Sequence, residues 1–166
     1  MALENEKLLD ETGWLVLQEL QQHARLSYTE LGQRVGLSLP AVAERMRKLE
    51  EAGIITGYHA EVNMAKLGMP VQAIIHLQGI GGQSCRHAVS RVSEIPEVLE
   101  CYRVTGNDSI FVKVVATSLD HLARVIDQLS LSGIPATSII RSRPMKRYML
   151  PREILEREAG EEDSSL

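Results

Sequence analysis

Apolar residues in the first third of the chain recur at the three- and four-residue spacing of amphipathic helices. The pattern predicts a first helix from Leu9 to Gln22, with Gly13 weakening its first half by about 1 kcal/mol relative to alanine. A short second helix is predicted to begin at a capping box of Ser27 and Glu30 and to end at Gly36, which suits a left-handed C-cap.

The stretch LSLPAVAERMRKLEEAG, residues 37–53, predicts a third helix. Ser38 is its expected N-cap, and Pro40 lies in the first turn, where the missing N–H is harmless. One apolar stripe is expected to be buried, formed by Val42, Met46 and Leu49. The other faces carry small and charged residues, namely Ala41, Glu44, Arg45, Arg47 and Lys48.

After the helices, IITGYHAEVN (residues 54–63) predicts a strand that serves as a wing or a hinge, and Gly68 and Pro70 mark a domain boundary. From residue 71 the apolar pattern changes to the two-residue alternation of strands. Strands are predicted over VQAIIHLQGI, EVLECYRVTG, DSIFVKVVAT and ATSIIRSRPMKRYML, and helices over GGQSCRHAVSRVSEI and SLDHLARVIDQLSLS.

The resulting order, β-α-β-β-α-β, is typical of a ferredoxin-like domain, in which both helices cover one face of a four-stranded antiparallel sheet. The predicted fold class is therefore α+β. We expect a winged, three-helix helix-turn-helix domain over residues 1–60, a hinge over 61–70 and the ferredoxin-like domain over 71–150. Residues 151–166 contain too little apolar content to fold and are expected to be an acidic, disordered tail.

The net charge of −4 arises in that tail, which holds six acidic and two basic residues, whereas residues 1–150 carry 16 of each. A neutral body can bind DNA if its bases gather on one surface, so the net charge does not exclude nucleic acid. No apolar run approaches the roughly 20 residues of a membrane span. The acidic N-terminus also lacks a signal-peptide pattern, so a cytoplasmic location without a membrane partner is expected.

No arrangement of residues indicates catalysis, so we expect neither an enzyme nor a cofactor. GIGGQSC lacks the Gly-Lys-Ser/Thr ending of a phosphate loop and predicts a plain turn. A disulfide between Cys85 and Cys101 is possible on number alone, but two buried thiols fit a cytoplasmic chain better. The histidines show no pairing at metal-ligand spacing, so no metal is expected; they are His23, His59, His76, His87 and His121.

The three helices fit either a plain bundle or a helix-turn-helix unit. DNA binding is favoured because the connection before the third helix is only GLS and because that helix exposes small residues near its N-terminus, where a recognition helix approaches base edges. Basic side chains further along it can then reach bases or phosphates. The predicted DNA-contacting residues are Ser27, Tyr28, Ser38, Pro40, Ala41, Arg45, Arg47 and Lys48.

Residues 8–150 resemble the Lrp/AsnC family, the feast/famine transcriptional regulators, most strongly in ELGQRVGLS, RMRKLEEAGIITGY and VTGNDSIFVKV. The resemblance implies an amino-acid-sensing sheet domain and dimers that assemble into tetramers or octamers. Two positions depart from the family: Gly13 stands where an acidic residue is frequent, and Leu39 stands where proline is common. The second departure lies at the DNA-facing start of the third helix, so an operator sequence is not carried over.

The turn TGNDS has two interpretations. Because Gly and Asn tolerate positive φ, it fits an ordinary hairpin turn. The Asp108 carboxylate and the backbone N–H groups of Gly106 and Asn107 can also pair with the ammonium and carboxylate groups of a free amino acid. The resemblance implies that this turn lines an effector pocket between subunits, which predicts contacts from Thr105, Gly106, Asn107 and Asp108, with Thr137 and Ser138 as further candidates.

The strand from Val71 to Gln78 has apolar residues on both faces, since Ile74 interrupts its polar side. An apolar sheet face of this size needs a partner. Dimerisation through paired sheets, involving the alternating apolar positions of Val71–Leu77, is therefore predicted.

These observations predict a sequence-specific DNA-binding transcriptional regulator whose assembly or DNA affinity responds to an amino acid or related small metabolite. Its expected partners are double-stranded DNA, the effector and further copies of the chain. The alternative is a metabolite-binding oligomer whose N-terminal domain contacts protein and no longer binds DNA. A small ferredoxin-like enzyme is a third hypothesis, for which the sequence offers no catalytic constellation.

Overall fold

Two structural units divide the described part of the chain, which in this computed structural model comprises residues 7–79, 85–105 and 108–147. Residues 7–60 together with 145–147 form the first, here called the helix unit, and the described residues from 61 to 144 form the second, the sheet unit. The hinge assigned to residues 61–70 stays a prediction, as does the acidic tail over 151–166, which lies outside the described residues.

Three helices build the helix unit: α1 (Glu11–Gln22), α2 (Tyr28–Val35) and α3 (Leu39–Glu51). All three predicted helices are therefore confirmed. Their apolar stripes meet in one core, whose members are Trp14, Val16, Leu17, Leu20, Leu31, Val42, Met46 and Leu49. The stripe predicted for α3 is buried because the other two helices cover it.

Local capping groups set the ends of α1 and α2. Asp10 is the N-cap of α1, so this helix begins two residues later than predicted. The predicted capping box is present, with Ser27 Oγ and the Glu30 carboxylate each accepting from the other residue's backbone N–H. Gly36 ends α2 at φ = 71°, a left-handed conformation that glycine adopts without a Cβ penalty.

The connection between α2 and α3 is tight because α2 carries a glycine where the chain returns over it. The Leu37 N–H donates to the Gly32 carbonyl at 2.9 Å. A Cβ on residue 32 would lie only 2.5 Å from the Leu37 carbonyl oxygen. The absence of a side chain at Gly32 therefore allows the close turn that places α3 against α2.

The strand predicted over residues 54–63 is wrong, since these residues form no strand. The N–H groups of Ile54 and Ile55 both donate to the Leu49 carbonyl, at 2.9 and 3.1 Å, and both side chains pack against the helix core. Because these residues complete the end of α3, their backbone is not available for a strand ladder.

The sheet unit confirms the predicted β-α-β-β-α-β order. In chain order its elements are β1 (Val71–Gln78), α4 (Cys85–Ser93), β2 (Val98–Arg103), β3 (Asp108–Ala116), α5 (Leu119–Ser130) and β4 (Ile134–Ile139). A short 3-10 helix, Met64–Leu67, precedes them. The strands are antiparallel and lie in the order β2-β3-β1-β4.

Helices α4 and α5 cover the same face of this sheet. Their inward residues Ala88, Val92, Leu122, Val125 and Leu129 pack on Ala73, Ile75, Leu77, Ile110, Val112, Val114 and Ala116. The prediction that the alternating positions of Val71–Leu77 form a subunit interface is therefore wrong for Ala73, Ile75 and Leu77. These three are at most 1% exposed, because the chain's own helices cover them.

The last strand is shorter than predicted. The sequence predicts a strand over residues 136–150, whereas β4 spans Ile134–Ile139. Its pairing with β1 ends opposite Ala73, followed by one hydrogen bond from the Ile140 N–H at 2.8 Å. Beyond it, Pro144 has no N–H with which to extend a ladder.

Cys101 differs from the prediction of buried thiols. It lies on β2, which is an edge strand, and is half-buried. An edge strand has a neighbour on one side only, which leaves its side chains partly open. The side chain of Cys85 lies outside the described part of the chain.

Candidate nucleic-acid interface and effector site

The start of α3 presents the small, accessible surface that was predicted to approach base edges. Ser38, Pro40 and Ala41 are all exposed there. Ser38 occupies the N-cap position, but its side chain makes no capping hydrogen bond, so the prediction that it caps the helix is only half correct. Its hydroxyl is therefore not committed to the helix end.

Ser27 and Tyr28 lie at the start of α2 and differ in what they offer. The Ser27 hydroxyl donates to the Glu30 carboxylate at 2.6 Å and accepts from the Glu30 N–H at 3.2 Å. The hydrogen bond from the Ser27 hydroxyl lowers the pKa of Glu30, and the one from the Ser27 backbone N–H lowers it further. Tyr28 is 41% exposed. Ser27 thus holds the helix start, and Tyr28 is the accessible group beside it.

Arg45 is directed at the N-terminus of α1. Its Nη1 and Nη2 atoms lie 2.5 and 3.0 Å from the two carboxylate oxygens of Asp10, and Nη1 lies 3.5 Å from the Leu8 carbonyl oxygen. The hydrogen bond from Arg45 lowers the pKa of Asp10, and the Gly13 N–H lowers it further. The Arg45 side chain is only 24% exposed. It therefore ties α3 to the cap of α1.

Gly13 makes room for this contact. A Cβ at this position would lie 2.0 Å from the Leu8 carbonyl oxygen and 3.2 Å from Arg45 Nη1. Glycine at position 13 weakens the helix, but the close packing around this position leaves no room for a side chain. Any side chain on residue 13 would displace the backbone that precedes α1.

Arg47 and Lys48 are exposed on α3 and paired within the helix. Arg47 contacts the carboxylates of Glu44 and Glu51 at 2.7 and 2.6 Å, and Lys48 Nζ lies 3.4 Å from Glu44. Hydrogen bonding to Arg47 lowers the pKa of Glu44 to about 2, and both carboxylates raise the pKa of Arg47. Solvated pairs at this spacing are weak and can be exchanged for phosphate oxygens.

Sequence reasoning missed the contact that holds the segment after α3. The Tyr58 hydroxyl donates to the Glu50 carboxylate at 2.8 Å. Burial raises the pKa of Tyr58, and the hydrogen bond to Glu50 raises it further. A separation of eight residues across a helix end has no sequence signature. By contrast, the three- and four-residue spacings of Glu44, Arg47 and Glu51 could have identified their pairing.

The predicted effector turn is described only at its two ends. Thr105 follows β2 and is exposed. Asp108 begins β3, where its backbone lies opposite Gln78, the last residue of β1. Gly106, Asn107 and the side chain of Asp108 lie outside the described part of the chain. Asp108, where the turn rejoins the sheet, therefore lies at the end of the sheet at which β1 stops.

Thr137 and Ser138 lie away from that end of the sheet. They are exposed on β4 opposite Ile75 and Ile74, three and four residues from Gln78 along β1. This is a separation of roughly 10–13 Å at about 3.3 Å per residue. Neighbouring strand residues point to opposite faces, so the two side chains also diverge. Within one copy of the chain, the structure does not bring them to the turn.

The sheet face opposite α4 and α5, here called the open face, carries groups that sequence reasoning did not single out. His76 and Phe111 stack across β1 and β3 with ring centroids 4.6 Å apart. Lys113 Nζ lies 2.5 Å from Glu100, which also accepts from the Tyr102 hydroxyl. The hydrogen bond from Lys113 lowers the pKa of Glu100, and that from Tyr102 lowers it further. Aromatic and ionic groups thus share one surface.

The described residues contain neither a metal-binding cluster nor a membrane-spanning helix. Within residues 7–79, 85–105 and 108–147, no three His, Cys, Asp or Glu side chains are placed to hold a metal ion. In the same part of the chain, no helix has both the length and the apolar character needed to cross a bilayer.

Both units match family models. Residues 9–56 match winged helix-turn-helix DNA-binding, and residues 72–149 match the Lrp/AsnC ligand binding domain. A similar protein is the uncharacterized HTH-type transcriptional regulator YezC of Bacillus subtilis, which is 40% identical over 134 residues, covering 81% of this chain and 94% of the relative.

Solved structures show the same similarity. The structure of LrpC from Bacillus subtilis has a TM-score of 0.78 at 34% identity, covering 84% of this chain and 99% of that one. The transcriptional regulator NMB0573 from Neisseria meningitidis, in complex with L-methionine, has a TM-score of 0.80 at 28% identity, covering 89% and 99%.

The contact between Asp10 and Arg45 generates a prediction about stability. Asp10→Asn keeps an N-cap acceptor and removes the charge, so we expect the helix unit to lose about 0.2–1 kcal/mol, the range of partly solvated ion pairs. Asp10→Ala also removes the cap and should cost about 1–2 kcal/mol. Denaturant unfolding followed by fluorescence of Trp14, the chain's single tryptophan, measures both.

The pH dependence provides the control. The folded pKa of Asp10 lies below its ordinary value of 3.8, so the stabilisation is fully present above pH 3.8 and is lost as the pH falls through the lower, folded pKa. The difference between wild type and Asp10→Asn should therefore shrink as the pH is lowered below 3.8. Glu11→Gln removes a neighbouring acid but leaves Asp10 and Arg45 in place, so this variant should retain the pH dependence that Asp10→Asn loses. Equal stability of wild type and Asp10→Asn at pH 7 would contradict the interpretation.

Proposed function

The chain belongs to the Lrp/AsnC family of transcriptional regulators, and from this premise we propose which of its surfaces bind DNA, effector and further copies of the chain. The matched winged helix-turn-helix model covers α1 to α3. It supports DNA binding over the alternative of an N-terminal domain that contacts only protein.

The observation that carries the DNA-binding assignment is the exposed, unobstructed start of α3. Ser38, Pro40 and Ala41 are exposed there around Leu39, whose larger side chain is 53% exposed, so this end of the helix is accessible to base edges. Tyr28, exposed in the first turn of α2, is proposed as a further DNA contact. Small residues at the point of closest approach allow α3 to enter the major groove, while the longer basic residues reach outward.

Arg47 and Lys48 are the proposed phosphate contacts. They are about half exposed, and their carboxylate partners on α3 are about as exposed. On binding, a phosphate oxygen replaces a carboxylate oxygen around the same cation. Arg45 is proposed as a positioning residue, because its guanidinium is engaged by Asp10 and its effect on DNA passes through the placement of α3.

The proposed effector is a free amino acid. Two observations support this class: the match of the sheet unit to the Lrp/AsnC ligand binding domain, and the L-methionine complex of the Neisseria meningitidis regulator. The turn from Thr105 to Asp108 is the proposed contact. Thr137 and Ser138 lie apart from this turn in one copy, so they would join it only through a second copy of the chain.

The open face is the proposed site of that second copy. Ile74 is 41% and Tyr102 54% exposed on it, although both are large and partly apolar. The same face holds the Glu100–Lys113 pair, which gives it both signs of charge. A surface with apolar, acidic and basic groups side by side can complement itself across a two-fold axis. We therefore propose a homodimer as the basic assembly, with tetramers or octamers built from it.

The DNA-binding proposal predicts opposite effects for neighbouring residues of α3. Replacing both Arg47 and Lys48 by glutamine should weaken binding to DNA from upstream of the protein's own gene. It should also reduce the salt dependence, log K against log salt, by about 0.9 for each lost phosphate contact. Glu44→Gln should tighten binding, because it frees both cations and removes a repelling charge. Fluorescence anisotropy with a labelled duplex measures the affinities of wild type and both variants, and its repetition at several salt concentrations gives the salt dependence.

Glu11→Gln is the matched control for Glu44→Gln, since it makes the same charge change in the first turn of α1. We expect it to leave affinity nearly unchanged. If Glu44→Gln has no greater effect than this control, and the Arg47/Lys48 double variant binds like wild type, α3 does not contact phosphates through these residues.

The effector proposal predicts selective loss of binding on Asp108→Ala. A charge-assisted hydrogen bond to an ammonium group contributes about 1.5–3 kcal/mol, so affinity should fall roughly 10- to 150-fold. Calorimetric titration of the twenty common amino acids measures this, with methionine first. Asp120→Ala, an acid at the start of α5, is the control and should bind normally. Equal binding by Asp108→Ala and wild type would place the pocket elsewhere.

The assembly proposal predicts that a charge on the open face disrupts oligomers. Ile74→Asp would bury an unpaired carboxylate in the interface, so light scattering should show a shift toward the 18.4 kDa monomer. Leu131→Asp introduces the same charge at a 65% exposed residue just after α5 and should not change the mass. A wild-type protein that is monomeric at micromolar concentration would refute the proposed interface.

A further inference from the structure

A short basic segment follows the sheet and is not used by any function described so far. Residues 141–147, RSRPMKR, contain four basic residues and no acidic one, and all seven are exposed. We call this stretch the basic segment. It holds a quarter of the 16 bases found in residues 1–150, although it accounts for only seven residues.

The backbone of the basic segment is not part of the sheet. Residues 141–147 carry no helix or strand, and β4 has already ended at Ile139. Pro144 interrupts any continuation because it lacks an N–H. A chain outside helices and strands presents its side chains without the constraint of a fixed strand register, and seven residues span at most about 25 Å.

The helix unit by itself offers little net attraction to DNA. Residues 7–60 carry six basic and seven acidic residues. Four of those bases are paired with carboxylates: Arg34 with Glu19, Arg45 with Asp10, Arg47 with Glu44 and Glu51, and Lys48 with Glu44. Each of these bases must exchange a carboxylate for a phosphate on binding, so additional bases with no acidic neighbour in sequence would add affinity.

The arginines of the basic segment supply such bases. The ion pair from Arg143 to Glu61 is long at 3.8 Å, and both side chains are largely open to solvent at 40% and 55% exposure. Arg147 belongs to the same compact unit as α3. A weak, solvated pair leaves the charge of Arg143 available to a stronger anionic partner.

We propose that the basic segment binds the phosphate backbone of DNA without regard to base sequence, adding affinity to the sequence-dependent contacts of α3. This inference rests on the proposed DNA-binding function. One DNA strand carries a phosphate about every 3.4 Å along the helix axis, so a segment of this length can follow several phosphates of one strand. Arginine suits this role because its guanidinium donates in a fork to phosphate oxygens.

The test compares two double variants that remove the same charge. Arg141→Gln/Arg147→Gln neutralises two bases of the segment, whereas Lys66→Gln/Arg124→Gln neutralises two exposed bases elsewhere in the sheet unit. Each full-length protein is titrated with the duplex from upstream of its own gene and with a random duplex of equal length. Anisotropy is measured between about 50 and 200 mM salt. Thermal unfolding and light scattering verify fold and assembly.

For the segment variant, the slope of log K against log salt should be smaller than that of wild type by about 1.8. The factor by which the variant binds more weakly than wild type is therefore about 12-fold smaller at the higher salt concentration than at the lower one. The loss should be equal on both duplexes, and the Lys66/Arg124 control should match wild type. Wild-type behaviour of the segment variant, or a loss confined to the specific duplex, overturns the inference and leaves DNA binding by α3 intact. If wild type binds neither duplex, the proposed function itself fails, and this inference fails with it.

Discussion

Val42, Met46 and Leu49 project from one side of α3 into the helix core and are at most 1% exposed. Their burial fixes the rotation of α3 about its own axis, and everything proposed for DNA binding follows from that rotation. With this stripe inside, the start of the helix and its charged residues are held outside. The sheet unit follows the same rule, since its two helices bury one face and leave the open face for a partner.

Electrostatics then determines how the exposed side of α3 is used. Glu44, with a pKa of about 2, stays ionised across the physiological range and keeps Arg47 and Lys48 engaged in the free protein. Phosphates must therefore compete with carboxylates, which lowers affinity for any DNA and makes the exposed start of the helix more important for selecting a site. The proposed contact of the basic segment with DNA would compensate for this competition.

The positions of the proposed effector-binding residues explain why regulation by a small molecule is physically reasonable for this chain. The proposed effector turn and Thr137 and Ser138 lie at different places on the sheet in one copy. A pocket built from both requires assembly, so occupation of the pocket and the oligomeric state are thermodynamically linked. DNA binding would be linked to the oligomeric state as well, because the number of copies in an oligomer determines how many α3 helices can contact one DNA duplex.

The amino-acid sequence by itself determined the features that depend on neighbouring residues: three capped helices, the β-α-β-β-α-β order, the buried stripe of α3 and the glycine stop after α2. Periodicity and capping act over a few residues, so they can be read without a structure. Only the tertiary structure decided the partner of Arg45, which is Asp10, 35 residues away. It also decided the conformation of residues 54–63, whose composition predicts a strand but whose first two residues donate hydrogen bonds to the end of α3. Alternation likewise showed which strand residues share a face, but not which face the helices cover. That choice is made by packing between distant segments, and no local pattern encodes it.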